Sequence, residues 1–497
     1  MTSPSLPPPS PSPSTPTPPS PSPCFYGVLP TPYGGRGAFA KARIPKNTTI
    51  LQCDGPYASV VLRKFRKEVC AWCFAWCFES AEGRKSSWSV RLDIVDGEVG
   101  PGGQKGKGGG GVIWTPWFCR EGCRGDWVRE YFWCGEESGS ESLVALMNTL
   151  EKTLVAYRTA KSRPKSQPAS TSVPPPHPFT FLDTWTSADV SESSIDSAWK
   201  MAEILASNLK KPSKILEVLE EWNAASAEDP RELLTEFEAD CARFVLDGIV
   251  RQALQTQVAI AVTASPHTAL GSTLAIDLHS GSTAATLPNA KPTGLWQDLL
   301  HLQNNELQHI RSKPYMLGVF IRVYLFLQYI VRTAKPAQRK RREGQVFGLN
   351  GNTAFIKRPA FLETLGMFLE ATDSVRAILA RDHGNVFGIW EKGLPHSEDG
   401  GREGEREGSG DDGEMFGWGM YVFGSYFNHD CTPTVRKQQH GRSLHFVTTR
   451  DVEEGEELCI NYIDVSMNNG VVSRNAELSK EWFFECGCKR CRRERDE

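Results

Sequence analysis

No hydrophobic run in this 497-residue sequence crosses a bilayer's thickness without interruption. The most apolar stretch, 316–331, is broken by Arg322 and Gln328, so no membrane role is expected. Charge of one sign is equally scarce. Lys+Arg number 56 against 59 Asp+Glu, a net charge of −3, which offers no global basic surface for nucleic acid or an anionic membrane. No basic segment followed by an apolar one opens the chain, and a soluble protein of the nucleus and/or cytoplasm is expected. Internal repeats are absent too, which argues against a solenoid.

Four stretches have compositions that bury too little apolar surface to pack. Residues 1–23 hold 11 Pro, 7 Ser and 3 Thr, and 100–111 hold 8 Gly; 162–178 are Ser/Pro-rich, and 393–414 alternate Gly with Glu, Asp and Arg. The remainder, in a chain 39% hydrophobic and 10% aromatic, has room for about three folding units. A glycine turn at 33–37 and the β-type runs up to Leu51 predict strands. Helical periodicity covers 195–260. There Asp229-Pro230 supplies a cap and first turn, Leu234, Phe237, Cys241 and Phe244 share a face, and Ile215, Val218, Leu219 and Trp222 repeat the pattern. The pattern returns at 296–333 and 359–381, and β-type runs resume at 444–448 and 457–462. A β start, a helical middle and a β finish predict one α+β domain with insertions.

Cysteine is plentiful, with 14 residues whose spacing matters more than their number. Cys70-x2-Cys73, Cys119-x3-Cys123 and Cys486-x-Cys488-x2-Cys491 have the spacing of thiolates that chelate one tetrahedral Zn2+ in a reducing compartment. The plainer reading, small buried hydrophobes, fits poorly with the Lys/Arg-rich surroundings of the triplet. Cys24, Cys53, Cys241 and Cys459 stand alone and are expected as buried thiols.

Four separated segments carry the remaining chemistry. The first is Gly35-Arg36-Gly37 with Ala38-Phe39-Ala40, and the second begins Asn385-Val386-Phe387. The third holds Ser425, Phe427, Asn428, His429, Cys431 and Pro433. The fourth holds Gly455, Glu457, Tyr462 and Asp464, followed by Trp482, Phe484 and the cysteine triplet. Asn-His-x-Cys-x-Pro, then Gly-Glu-Glu with a nearby Tyr, then Cys-x-Cys-x2-Cys, in this order, resembles a SET-domain protein lysine methyltransferase. The Cys-rich insert after the first segment resembles a MYND zinc finger. That split order is similar to the SMYD class and its fungal relatives over about 25–135 and 295–497, whereas 136–294 matches only as generic helix.

The resemblance implies an α+β SET fold with pseudoknot-like C-terminal motifs, an inserted MYND-like finger, a large helical insertion and a Cys-rich post-SET tail. The expected units are a disordered tail 1–23, the first part of SET 24–66, the finger 67–135, the helical region 136–380, the SET core 381–466 and the post-SET zinc region 467–497. S-adenosyl-L-methionine would contact Gly35, Arg36, Gly37, Asn385, Ser425, Phe427, Asn428, His429, Tyr462, Trp482 and Phe484. Methyl transfer to lysine is an in-line displacement that needs aligned partners and a neutral amine. A free Lys has a pKa of about 10.4, so a desolvated channel favours the nucleophile. By resemblance, the hydroxyl that orients it belongs to Tyr462, the catalytic residue. One Zn2+ would sit on Cys70, Cys73, Cys119 and Cys123, and another on Cys431, Cys486, Cys488 and Cys491.

The sequence departs from the family pattern in four places: Arg36 replaces a polar amide, Trp482 a Tyr, Thr434 an Asn and Glu130 a His. The second finger site keeps only Cys77 and Cys134 as thiolates, which predicts two zinc ions per chain rather than three. Trp127, Tyr131, Phe132 and Trp133 would then hold that half together by packing. The partner expected is a protein, histone or other, presenting a lysine to a monomeric enzyme, with no direct nucleic acid. The competing reading is a catalytically weak scaffold whose tail, with Leu6-Pro-Pro-Pro, could dock on SH3-type grooves. Retention of Tyr462, Asn428, His429 and Phe484 favours the enzyme, since a scaffold needs none of them. The run 335–342 reads equally as a nuclear import signal or a solvated loop.

Overall fold

The computed structural model describes residues 25–77, 90–91, 94–95, 98–99, 114–132, 139–161, 177–226, 232–264, 293–334, 361–391, 414–465 and 470–496. The Pro/Ser tail, the Gly-rich loop, the basic run, most of 162–178, nearly all of 393–414, Cys24, Trp133 and Cys134 lie outside the described residues.

Strands β1 (Tyr26–Pro30) and β2 (Arg36–Ala40) form a hairpin turned through Gly34 and Gly35 at φ +95° and +73°, conformations glycine adopts at little cost. β3 (Thr49–Cys53) and β4 (Ser59–Val61) follow, then the two-residue strands β5 (Val90–Arg91), β6 (Ile94–Val95), β7 (Glu98–Val99) and β8 (Trp117–Phe118). The remaining strands lie near the end of the chain: β9 (Val386–Trp390), β10 (Met415–Met420), β11 (Asn428–His429), β12 (Val435–His440), β13 (Ser443–Thr448) and β14 (Glu457–Ile460). Three sheets, ordered β1-β2-β14-β11, β4-β10-β9 and β12-β13-β3, each join an early strand to late ones.

Between them run α1 (Glu121–Phe132), α2 (Gly139–Lys161), α3 (Glu192–Asn208), α4 (Pro212–Ser226), α5 (Glu236–Ala264), α6 (Trp296–Leu300), α7 (Glu306–Ser312), α8 (Met316–Thr333), α9 (Phe361–Glu370) and α10 (Asp373–Asn385). Helices α11 (Val471–Trp482) and α12 (Lys489–Asp496) close the chain. The mixed α/β architecture with a helical middle is therefore present, more finely divided than periodicity indicates. One expectation is corrected. Helix α5 starts at Glu236, beyond Asp229-Pro230, because Thr235 and Glu238 make the reciprocal cap: Glu238 N donates to Thr235 Oγ1 at 3.2 Å and Thr235 N to Glu238 Oε2 at 2.8 Å. That start leaves Phe237 49% exposed, off the core face that Leu234, Cys241 and Phe244 share.

Helix α8 is long and apolar enough to cross a membrane, yet it packs against α3, α4, α5 and α9 as the central core helix. The two polar residues that interrupt it both find partners inside. Arg322 pairs with Glu238 at 2.9 Å and donates to Leu233 O, and Gln328 donates to Leu369 O. A second buried ionic group joins α2, α5 and the turn after β4. Glu151, fully buried, meets Arg243 at 2.7 Å, Arg66 at 2.5 Å and Arg63 at 3.9 Å. Burial works against its ionisation, but Arg243 and Arg66 outweigh it and hold the carboxyl below its ordinary range. Removing one partner of a buried pair strands the other charges. Glu151→Ala is therefore expected to destabilise the protein by about 3–5 kcal/mol, read as a fall in the urea unfolding midpoint.

Candidate functional site

The site is built where the two ends of the chain meet. β14 pairs antiparallel with β2 and parallel with β11, with Asn428 opposite Cys459 and His429 opposite Ile460. Tyr462 N, just past β14, donates to His429 Nδ1 at 3.0 Å, and the Tyr462 hydroxyl donates to Phe427 O at 3.1 Å. Burial pushes the phenol's pKa well above its ordinary value, so the hydroxyl stays protonated. Burial likewise holds the His429 imidazole down to about 4, neutral and able to accept that bond.

Asn428 turns toward the hairpin. Its amide nitrogen donates to Arg36 O at 3.0 Å and to Glu457 Oε1 at 2.8 Å. A methyl placed on Gly37 would lie 2.4 Å from Glu457 Oε1 and 2.7 Å from Asn428 Nδ2. Gly37 thus leaves room for this side-chain pair, and Gly35 serves the turn. Arg36 lays its guanidinium over the Tyr426 ring at 5.2 Å and donates to His301 O. Asn385 donates to Gln303 O and Arg381 O at 3.0 and 2.9 Å, and Ser425 Oγ donates to Asn385 O at 3.1 Å. The Phe427 ring is fully buried and stacked on Phe446 at 4.7 Å. It is a core residue, so of the expected ligand contact only its backbone remains available.

Helix α11 brings up the aromatic wall. The Trp482 ring lies 5.7 Å from that of Tyr462, and the Phe484 ring lies 6.3 Å from Tyr462, nearly perpendicular, and 6.1 Å from His429. Both rings are half-buried. The tail is tied back by sulfur. The Sγ atoms of Cys431, Cys486, Cys488 and Cys491 lie within 4.8 Å of one another, as do those of Cys70, Cys73, Cys119 and Cys123. Neighbouring thiols approach to 3.5 Å in both sets, close to the ~3.8 Å edge of a tetrahedron with metal–sulfur bonds of about 2.3 Å. Hydrogen bonds from Cys431 drive the Cys488 thiol down, and one from Cys119 drives Cys70 down, while neighbouring thiols are pushed up. Several thiolates cannot share so small a space without a cation. Among the described residues these are the two groups able to hold a metal ion.

The profile of the SET domain matches residues 35–463. The chain belongs to the SET-domain family. It is 25% identical over 472 residues, 95% of each chain, to "Potential protein lysine methyltransferase SET6" of Saccharomyces cerevisiae. It is 36% identical over 116 residues to a SET and MYND domain-containing protein of Dictyostelium discoideum (23% of this chain, 19% of that one). Over 84 residues it is 33% identical to "Protein-lysine N-trimethyltransferase SMYD5" of Homo sapiens (16% and 20%). The resemblance to SMYD-like SET proteins thus stands.

The SET-domain site has features its motifs do not announce. Thr434, in place of Asn, accepts from Cys459 N at 2.8 Å and so still ties the start of β12 to β14. Lys437 on β12 is half-buried and donates to Asn461 O, and nothing in its surrounding string marks it. His309 on α7 and His383 at the end of α10 bring their rings to 4.2 Å, with the Phe483 ring 4.9 Å from His383. Phe483 ends α11 in the left-handed region at φ +63°, so this aromatic cluster fixes where the chain turns toward Phe484. His309 Nδ1 and His383 Nε2 are buried without a hydrogen-bond partner among the described residues. Burial, then the neighbouring His383 and Lys313, hold His309 down to about 3; burial lowers His383 as well. The two imidazoles are neutral when folded. Their contribution is complete above an unfolded pKa of about 6.5 and is lost as pH falls toward the folded values. Wild-type stability is therefore expected to fall from pH 7 to 5 more steeply than that of His309→Gln, by up to about 1.4 kcal/mol per pH unit, as read from urea midpoints at each pH.

Proposed function

We propose that this SET-domain protein is an S-adenosyl-L-methionine-dependent protein-lysine N-methyltransferase. The observation that carries the reading is the meeting of Tyr462 with His429, Trp482 and Phe484, beside Asn428 and the hairpin it holds, brought from segments that the sequence keeps apart. The donor set fits the cofactor. The half-exposed rings of Trp482 and Phe484 suit a purine or a thioether chain, and the polar groups of Arg36, Asn385 and Ser425 suit an amino-acid end. S-adenosyl-L-methionine would supply an electrophilic methyl group there. The protein's share is to exclude water, stack the aromatic wall and orient an incoming amine with the Tyr462 hydroxyl, which stays protonated and is anchored on Phe427 O.

In this reading 24–66 and 381–466 are the two parts of SET, with β11 and β14 forming the pseudoknot-like crossing. Residues 67–135 are a MYND-like finger, 136–380 a helical insertion and 467–497 a post-SET region. The enzyme acts as a monomer, in the nucleus and/or cytoplasm, on a protein lysine. Tyr462→Phe keeps the ring and deletes the hydroxyl. Methyl transfer to a labelled lysate should then fall at least about tenfold, a loss of about 1.4 kcal/mol or more, with calorimetric cofactor affinity nearly unchanged. Full turnover in that variant would remove Tyr462 from the reaction.

Zinc is the metal we assign to both cysteine sets, since four closed thiolates are a structural Zn2+ donor set. Arg474, buried, donates to Cys491 Sγ at 3.4 Å and pairs with Glu494 at 2.7 Å, a second layer that offsets thiolate charge. A third ion finds no complete set among the described residues. Glu130 is held by Arg251 at 2.6 Å, and Trp127 packs on Tyr131 at 4.9 Å and Phe118 at 5.7 Å; the Phe132 side chain lies outside the described residues. Elemental analysis is expected to give about two zinc per chain, as four-thiolate pairing implies, falling to one in Cys488→Ser. Three zinc, dropping to two in Cys134→Ser, would contradict the assignment.

A further inference from the structure

Lysine is seldom drawn even part-way into a protein without a counter-charge, because an ammonium loses hydration there. Lys437 is half-buried in this way. Its Nζ donates to Asn461 O at 3.0 Å and lies over the Phe387 ring, 5.9 Å from the centroid. Among the described residues no carboxylate reaches it, and burial alone lowers its pKa to about 8. Opposite it in the β12–β13 ladder is Phe446, which is fully buried. These neighbours border the site already described: Asn461 immediately precedes Tyr462, and Phe387 is two residues from Asn385.

These surroundings are what an acceptor lysine requires: an aromatic wall, a carbonyl to align the amine and a desolvated setting that favours the neutral nucleophile. The amine is delivered by a strand of the same chain, so the cost of bringing an acceptor to the site is already met by folding. Among the described residues the amine has no ion-pair partner beside its bond to Asn461 O, and a leucine or methionine would fill the same wall without partly desolvating a charge. We propose that Lys437 is an acceptor in cis, so that the protein methylates its own Lys437 Nζ. The inference rests on the methyltransferase reading above.

In the step itself, Lys437 first loses a proton to water. Its Nζ lone pair then forms the N–C bond to the methyl carbon of S-adenosyl-L-methionine. The S–C bond breaks with its electron pair staying on sulfur, leaving S-adenosyl-L-homocysteine, and the new methylammonium can release one proton to solvent. Atoms and charge balance with no further reactant.

The first measurement needs no added cofactor: peptide mass mapping of the full-length protein as isolated, beside Tyr462→Phe isolated in the same way. Methyl on Lys437 in the wild type, and at least about tenfold less in Tyr462→Phe, is the expected result. The second incubates wild type, Lys437→Arg and Lys437→Met with tritiated S-adenosyl-L-methionine, alone and with a cell lysate. Self-label should be confined to the wild type, and its first-order rate constant should not change with protein concentration. Mixing Lys437→Arg with Tyr462→Phe should leave Lys437 of the latter unlabelled; label there would overturn transfer in cis. Lysate labelling by a wild type whose Lys437 stays unmodified, both as isolated and after incubation, would overturn the inference and leave the methyltransferase reading standing. A folded wild type that labels neither itself nor the lysate would overturn both.

Discussion

Four residues of backbone carry more of this structure than any helix does. The parallel pairing of Asn428–His429 with Cys459–Ile460 fixes two segments at a register in which a shift of one residue would reverse every side chain. From that register Tyr462 N finds His429 Nδ1, Asn428 finds Glu457, and Cys431 faces the sulfurs of the tail. The pairing is too short to be stable by itself. Its support comes from β2 on the other side of β14, from Thr434 at the start of β12 and from the sulfur cluster below.

The cluster and the aromatic wall form one mechanical unit. Cys486 follows Phe484 by two residues, so whatever holds the sulfur also sets the rings. On the other side, α11 ends in Phe483 against His309 of the helical middle and His383 at the end of α10. The tail is therefore clamped between the β-rich part and the helical part. This gives the helical middle a bearing on the site although it contributes none of the motif residues.

Much of the site was legible because its residues come in short strings whose order is itself informative. Asn428, His429, Cys431, Tyr462 and the cysteine triplet meet where the motif order implied, and so do the four finger cysteines. What could not be read depends on contacts between strings. Nothing near Gly37 in the sequence says that Asn428 and Glu457 occupy the place of its missing side chain. Phe427 looks like a site aromatic until Phe446 stacks on it. Lys437, His309 and His383 carry no local signature, and Glu151 reads as an ordinary helix-surface acid until three arginines surround it. Helix patterning placed the core faces of α4 and α5 well, but the start of α5 was decided by a Thr–Glu cap rather than by the proline upstream.

The pairing of Phe39 with Glu457 also sets a schedule for synthesis. A chain grows from its N-terminus at about 5–20 residues per second, so β2 waits on the order of 20–80 seconds for the strand that completes its sheet. During that interval the hairpin β1–β2 presents an unpaired edge, and β3 and β4 do the same. Open edges recruit other strands, and contacts so distant in sequence form slowly. The helical insertion, dominated by contacts closer in sequence, is positioned to fold first and shelter the apolar faces. The cell must therefore keep the first sixty residues of this protein from aggregating until the last forty have emerged.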